Sequence, residues 1–170
     1  MDFPPAPLRC ALDHFELTER SGQKVLDFLP AVSFAEVRLF MRGALLDSTG
    51  GRARVIRERL EPWLGQSLPL IAPRQVHGVT ILDSSAENAL PSTPQADGVL
   101  LTDAGISASL RFADCAPVVV TPSEDWVRGR TPWVLLMHSG YRGTVQNIVR
   151  SGLERATTRS EERRVGKECR

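Results

Sequence analysis

Two unbroken apolar runs, PVVV at 117–120 and WVLLM at 133–137, do most to constrain what this chain can build. A strand with one wet face alternates apolar and polar residues. A run that is apolar at every position is expected of a strand covered on both faces, and that demands packed layers on either side. Neither run approaches the length needed to span a bilayer. Directly after the second, GTVQNIVRSGLERA at 143–156 has the spacing of a helix, with Thr144 as the expected N-cap. Val145, Ile148, Val149, Gly152 and Leu153 are its expected inward positions.

The rest of the chain adds pieces of the same kind. ALDHFEL and KVLDFL read as short strands around the turn RSGQ, and AEVRLFM at 35–41 alternates as a third strand, followed by a Gly-rich loop through STGG. RARVIRERLEPWLG places Val55, Ile56, Leu60 and Leu64 at helical spacing, with Pro62 tightening the last turn and Gly65 as C-cap. LIAPRQVHGVTIL holds two short apolar runs. ISASLRF sets Ile106, Ala108, Leu110 and Phe112 on one face of an expected half-buried strand. The expectation is a mixed α/β (α+β) fold, a single domain with a central mixed sheet flanked by helices. It occupies residues 1–156 and is incomplete at the C-terminus.

The segment after 156 differs in style. TTRSEERRVGKECR is highly charged and aperiodic, and RSEERRVGKECR looks like translated adaptor sequence, so 157–170 is expected to be a non-native or disordered tail in which Cys169 carries no function.

Charge excludes some partners. Lys and Arg total 21 against 20 Asp and Glu, so a net charge of +1 gives no electrostatic case for nucleic acid or an anionic membrane. The opening MDFPPAPLRC lacks a basic segment followed by an apolar one, so no secretory leader is expected. Three widely spaced cysteines do not form a disulfide framework, and the expected setting is the reducing cytoplasm.

Chemistry concentrates in three short motifs. Of three histidines, His77 in RQVHGV and His138 in MHSGYRGT each sit at a strand edge beside a glycine-bearing turn, and Cys115 in ADC has the same relation to its strand. Two imidazoles and a thiolate are a ligand set that suits zinc, and three protein ligands leave a fourth position open, as catalytic sites do. Asp114 is the expected carboxylate behind a ligand, orienting an imidazole or accepting a hydrogen bond near the metal. No compact ligand pair such as C-x-x-C accompanies them, so spacing alone also permits a core cysteine and two turn histidines. His14 reads as a surface residue.

RQVHG, ADGVLLTD, ADCAPVVV and HSGYRGT, in that order and spacing, resemble the laccase-domain family. It is also called the multicopper polyphenol oxidase or purine nucleoside phosphorylase family and includes the bacterial peptidoglycan editing factor. The resemblance is strongest over 74–144 and implies a zinc site on His77, Cys115 and His138. Tyr141 stands where the family usually has Trp. MRGALLDSTGG matches the family's N-terminal Arg-Gly-Gly loop loosely, with Arg42 as the phosphate-contact candidate. Family members continue past the helix after HSGYRGT with further strands, so the chain is expected to be a fragment.

The resemblance implies purine nucleoside phosphorylase and adenosine deaminase activity, including action on methylthioadenosine, with nucleoside and phosphate as partners. The SGYRGT loop precedes the expected helix, so its backbone N–H groups at Gly140 and Gly143, with Arg142, form a candidate phosphate and substrate loop. Asp114, Arg142 and Cys115 are the catalytic candidates. Met137 beside the His and Cys residues imitates a blue-copper ligand list, but three histidines cannot build a trinuclear copper cluster, so zinc is the expected metal. Two other readings stay open: a hydrolase or amidase of cell-wall precursors with Cys115 as nucleophile and His77 or His138 as base, and an inactive remnant or binding module.

Overall fold

The computed structural model describes residues 15–20, 23–28, 32–47, 55, 58, 69–87 and 94–168. It divides into two compact units, Met1–Ser48 and Thr49–Arg170. The expected helix over 52–65 falls outside the described residues, apart from the helical Val55 and Glu58, and so do His14, Cys10 and Cys169.

In the first unit β1 (Phe15–Arg20), β2 (Gln23–Phe28) and β3 (Val37–Phe40) form an antiparallel meander in that order, as the alternating stretches predict. Asp27 faces Arg38 across the ladder and is bonded to its Nε at 2.9 Å, a cross-strand pair that fixes register. Fully buried Val25 lies opposite Phe40. The loop expected after β3 contains a four-residue helix, α1 (Ala44–Asp47). Arg42 precedes it with its side chain 92% exposed, 3.5 Å from Asp47.

The second unit is built on a mixed sheet of β5 (Ile81–Asp83), β6 (Gly98–Leu101), β9 (Val134–Ser139) and β8 (Ala116–Val120), in that spatial order. The β5–β6 pair is parallel and the β6–β9 and β9–β8 pairs are antiparallel. A separate parallel pair joins β4 (Leu70–Ile71) to β7 (Ser107–Ala108). The connections carry α2 (Ser84–Glu87) and α3 (Glu124–Val127). After β9 come α4 (Tyr141–Val145) and α5 (Ile148–Glu168). No helix among the described residues is long and apolar enough to cross a membrane.

The central strands follow the sequence logic. Val99, Leu100, Leu135 and Met137 are fully buried, and Leu100, Leu135 and Met137 pack with Ile148 and Ala156 of α5. β8 departs from it. PVVV is the sheet's edge strand, with Val118 and Val120 packed on the core and Val119 exposed, so only one face is covered. Pro117, which has no N–H to donate, is tolerated because it sits at an edge.

The helix after HSGYRGT also differs. It is two helices, separated at Asn147, whose positive φ of 61° breaks the run. Gly140 is the N-cap and Thr144 lies inside α4. The buried stripe is Ile148, Gly152 and Ala156, while Val145, Val149 and Leu153 are exposed. The reason is the bulk of the strand beneath. A Cβ on Gly152 would stand 2.6 Å from Met137 Sδ and 2.7 Å from Leu135 Cδ2, so α5 approaches β9 only through small side chains.

ISASLRF forms a strand only at Ser107–Ala108. Its last ladder bond runs from Ser109 N–H to the Ile71 carbonyl at 3.0 Å, and beyond it the backbone of Arg111 bonds instead to the Gln75 side chain. Residues 157–168, within the segment expected to be a non-native or disordered tail, continue the helix to Glu168. Arg159 reaches the buried Asp83 carboxylate at 3.2 Å and donates to the Ser85 hydroxyl at 2.6 Å.

Candidate metal centre

Three loops at one edge of the mixed sheet carry the three motifs. His138 is the penultimate residue of β9, Cys115 immediately precedes β8, and His77 lies in the loop between β4 and β5. Because β8 and β9 are antiparallel neighbours, with Pro117 opposite His138 and Ala116 opposite Ser139, the start of one strand lies beside the end of the other. Cys115 and His138 are therefore brought together by the ladder itself.

The ligand atoms of His77, Cys115 and His138 all lie within 4.8 Å of one another. The two imidazoles meet edge to face with centroids 4.8 Å apart, and Phe112 packs on His138 at 5.6 Å. Exposure is graded across the trio: His138 is buried, Cys115 half-buried and His77 exposed, so the centre opens to solvent on the His77 side.

Asp97, at the end of the loop before β6, ties two ligands to each other, and the sequence reading missed it. This fully buried carboxylate accepts the His77 backbone N–H on Oδ1 at 2.9 Å, and the N–H groups of Val76 and Gly78 on Oδ2 at 3.1 and 2.7 Å. Three successive N–H groups converging on one anion form a nest, and His77 is held at a positive φ of 61° to complete it. The left-handed backbone costs a non-glycine residue about 1–2 kcal/mol, which these charge-assisted bonds offset.

Oδ1 also lies 3.0 Å from His138 Nδ1. A carboxylate only accepts, so Nδ1 carries the proton and the lone pair of Nε2 is left for the trio. Burial alone would raise the Asp97 carboxyl, but the bonds from Gly78, His138, Val76 and His77 outweigh it and hold it below the usual carboxylate range. Of the two roles expected of Asp114, Asp97 takes the orientation of an imidazole. Asp114, which is exposed, takes the other and accepts a hydrogen bond from the Cys115 thiol on Oδ1 at 3.6 Å. Desolvation first, and then the Asp114 carboxylate, push the Cys115 thiol up.

The glycines of HSGYRGT have a tighter purpose than loop flexibility. A Cβ on Gly140 would stand 2.9 Å from His77 Cδ2, 3.0 Å from Cys115 Sγ and 3.6 Å from His138 Cε1, so its bare backbone forms the wall of the trio. A Cβ on Gly143 would meet the Gly78 carbonyl at 3.0 Å, so its absence lets α4 lie against the His77 loop. Thr144 closes the turn, its hydroxyl donating to the Gly140 carbonyl and lying 2.9 Å from the Ser139 hydroxyl. Arg142 is exposed on α4. Arg42 belongs to the other unit.

The sequence also gave no role to Gln75 and treated Phe112 only as a strand residue. The one signal for Asp97 was an acid followed by glycine at the head of the buried run GVLL, where an unpaired carboxylate is costly. The donor set and the cradle at Gly140 both fit a single metal ion. A zinc tetrahedron separates its ligand atoms by about 3.5 Å, so small side-chain rotations close the observed spread.

The family described as multi-copper polyphenol oxidoreductase laccase matches over residues 50–166. The chain is 34% identical over 101 residues to purine nucleoside phosphorylase YlmD of Geobacillus stearothermophilus, covering 54% of this chain and 34% of that protein. It is 29% identical over 75 residues to purine nucleoside phosphorylase RC0672 of Rickettsia conorii, covering 44% and 28%. The chain thus spans about a third of the length of these curated relatives. The crystal structure of Neisseria meningitidis protein NMB0706 superposes with a TM-score of 0.49 at 18% identity, covering 84% of this chain and 57% of that one.

Proposed function

The chain belongs to the multi-copper polyphenol oxidoreductase laccase family, and from that premise we propose that it is part of a zinc-dependent enzyme acting on purine nucleosides. The reactions are phosphorolysis of adenosine, inosine, guanosine or methylthioadenosine, and deamination of adenosine. The observation that carries this reading is the convergence of His77, Cys115 and His138 within 4.8 Å, with a wall at Gly140 that no side chain could share.

The donor set favours zinc over copper. Met137, whose thioether would complete a blue-copper ligand list, is fully buried and its Sδ points at Gly152 of α5, into the core. When bound, zinc supplies Lewis acidity and acidifies a coordinated water toward neutral pH. The chain's own residues do the rest. Asp97 keeps His138 in one tautomer and one orientation, and the exposed His77 side leaves the approach open to a nucleoside. Arg142 is the candidate to hold phosphate, as a guanidinium that pairs with two oxygens at once.

The nucleophile reading of Cys115 is weaker. An activated thiol needs a lowered pKa, and burial together with Asp114 moves this one the other way.

The test is metal analysis followed by incubation with adenosine, with and without phosphate. Stoichiometric zinc is expected, lost in Cys115→Ser, with inosine formed in either condition and adenine plus ribose 1-phosphate formed only with phosphate. Failure to turn over any purine nucleoside defeats the proposal.

A further inference from the structure

Gln75 stands two residues before His77, and its amide is engaged at both ends. Its Nε2 donates to the Arg111 carbonyl at 2.7 Å and its Oε1 accepts the Arg111 N–H at 2.9 Å. The side chain thus pairs with both backbone groups of a residue 36 positions away as another strand would. Only Asn and Gln present a donor and an acceptor in that geometry, and a glutamate lacks the donor.

The location of this pair gives it consequence. The two ends it joins are the two loops that carry His77 and Cys115. The β7 ladder finishes with Ser109, and β8 begins at Ala116, directly after the cysteine. Between them the Gln75 amide grips the segment at Arg111, next to Phe112, whose ring packs on His138. Asp97 fixes the His77 loop to His138 and the β8–β9 ladder sets Cys115 beside His138, while the Gln75–Arg111 pair bonds the His77 loop directly to the segment that leads to Cys115.

We infer that Gln75 is a positioning residue of the metal centre: by pairing with the Arg111 peptide it holds the Cys115 loop in register with the His77 loop, so that thiolate and imidazole meet one ion together. This rests on the metal reading above.

The experiment uses the full chain, with zinc titrated against a chromophoric chelator and cobalt(II) as a spectroscopic stand-in. Gln75→Met keeps the length of the side chain and loses both bonds. It is expected to weaken zinc binding by about 10–100-fold, the usual effect of disturbing a group behind a ligand, and to diminish the cobalt–sulfur charge-transfer band. Gln75→Glu, which keeps the acceptor for the Arg111 N–H, is expected to fall between.

A double-mutant cycle separates positioning from general support of the fold. In a Cys115→Ser background, Gln75→Met is expected to cost almost no further affinity, because the ligand it places has gone. Wild-type affinity and an unchanged cobalt spectrum in Gln75→Met overturn the inference, and so does an equal loss in both backgrounds. Should Gln75→Met fail to fold, Gln75→Glu is taken through the same cycle with the same two criteria. A wild-type chain that takes up neither zinc nor cobalt removes the metal reading along with this one. Metal binding that ignores Gln75 removes this one alone.

Discussion

Replacing Asp97 by Asn tests the centre at its most connected atom pair. The carboxylate accepts four bonds, three from the backbone of Val76, His77 and Gly78 and one from His138 Nδ1. The amide is nearly the same shape, but one of its ends can only donate. If its oxygen takes the place of Oδ1, the N–H groups of Val76 and Gly78 face an NH2 group, and the reverse orientation strands His77 and His138. Either way two donors that face the buried side chain lose their acceptor, at about 1–3 kcal/mol each where water is excluded. Relaxation of the loop and entry of water reduce the sum, so about 2–4 kcal/mol of stability is expected to be lost at pH 7, measured by chemical denaturation of the metal-free chain.

The pH dependence supplies a sharper criterion. The folded pKa of Asp97 is held below the unfolded value of about 3.9. Its contribution is therefore fully present above about pH 4 and is lost as pH falls through the folded value. The protonated acid, like the amide, has one accepting and one donating end. The stability gap between wild type and Asp97→Asn should therefore be widest near neutrality and close on acidification below pH 4. A gap that stays constant from pH 7 to pH 3, or an Asn variant as stable as wild type at pH 7, refutes the hub role.

The same contacts predict three further outcomes. Gly140→Ala should fold but bind zinc at least about tenfold more weakly, since the methyl enters contact with His77 and Cys115; metal content after dialysis measures it, and undiminished metal counts against the trio as the site. Gly152→Ala should leave metal affinity unchanged while costing about 1–3 kcal/mol, because the methyl meets Met137 and Leu135 across the α5–β9 contact; urea denaturation reads this, and a neutral result means the helix can shift. Asp114→Asn removes a charge that raises the Cys115 pKa, so the metal-free thiol should be alkylated a few-fold faster at pH 8; an unchanged rate assigns the rise to desolvation alone.

What was legible in the sequence was what chemistry restricts by residue type. Few side chains ligate metals, so the motifs single out His77, Cys115 and His138, and the fold brings their ligand atoms within 4.8 Å of one another. Unbroken apolar runs located the mixed sheet, and alternation located the β1–β3 meander. What was illegible depended on partners distant in sequence. Asp97 gains its role only when the 76–78 backbone folds back on it, and that requires His77 in a conformation its residue type does not advertise.

The misread elements share a cause of the same kind. Apolar size nominated Val145, Val149 and Leu153 for burial, but with Leu135 and Met137 already filling the interface, smallness at Gly152 and Ala156 decided which face of α5 could approach. Residues 106–112 alternate like a strand, yet pairing needs a neighbour's backbone as well as a pattern, and at Arg111 a side-chain amide supplies the bonds instead. The alternation therefore outruns the ladder, which ends at Ser109 well before Cys115.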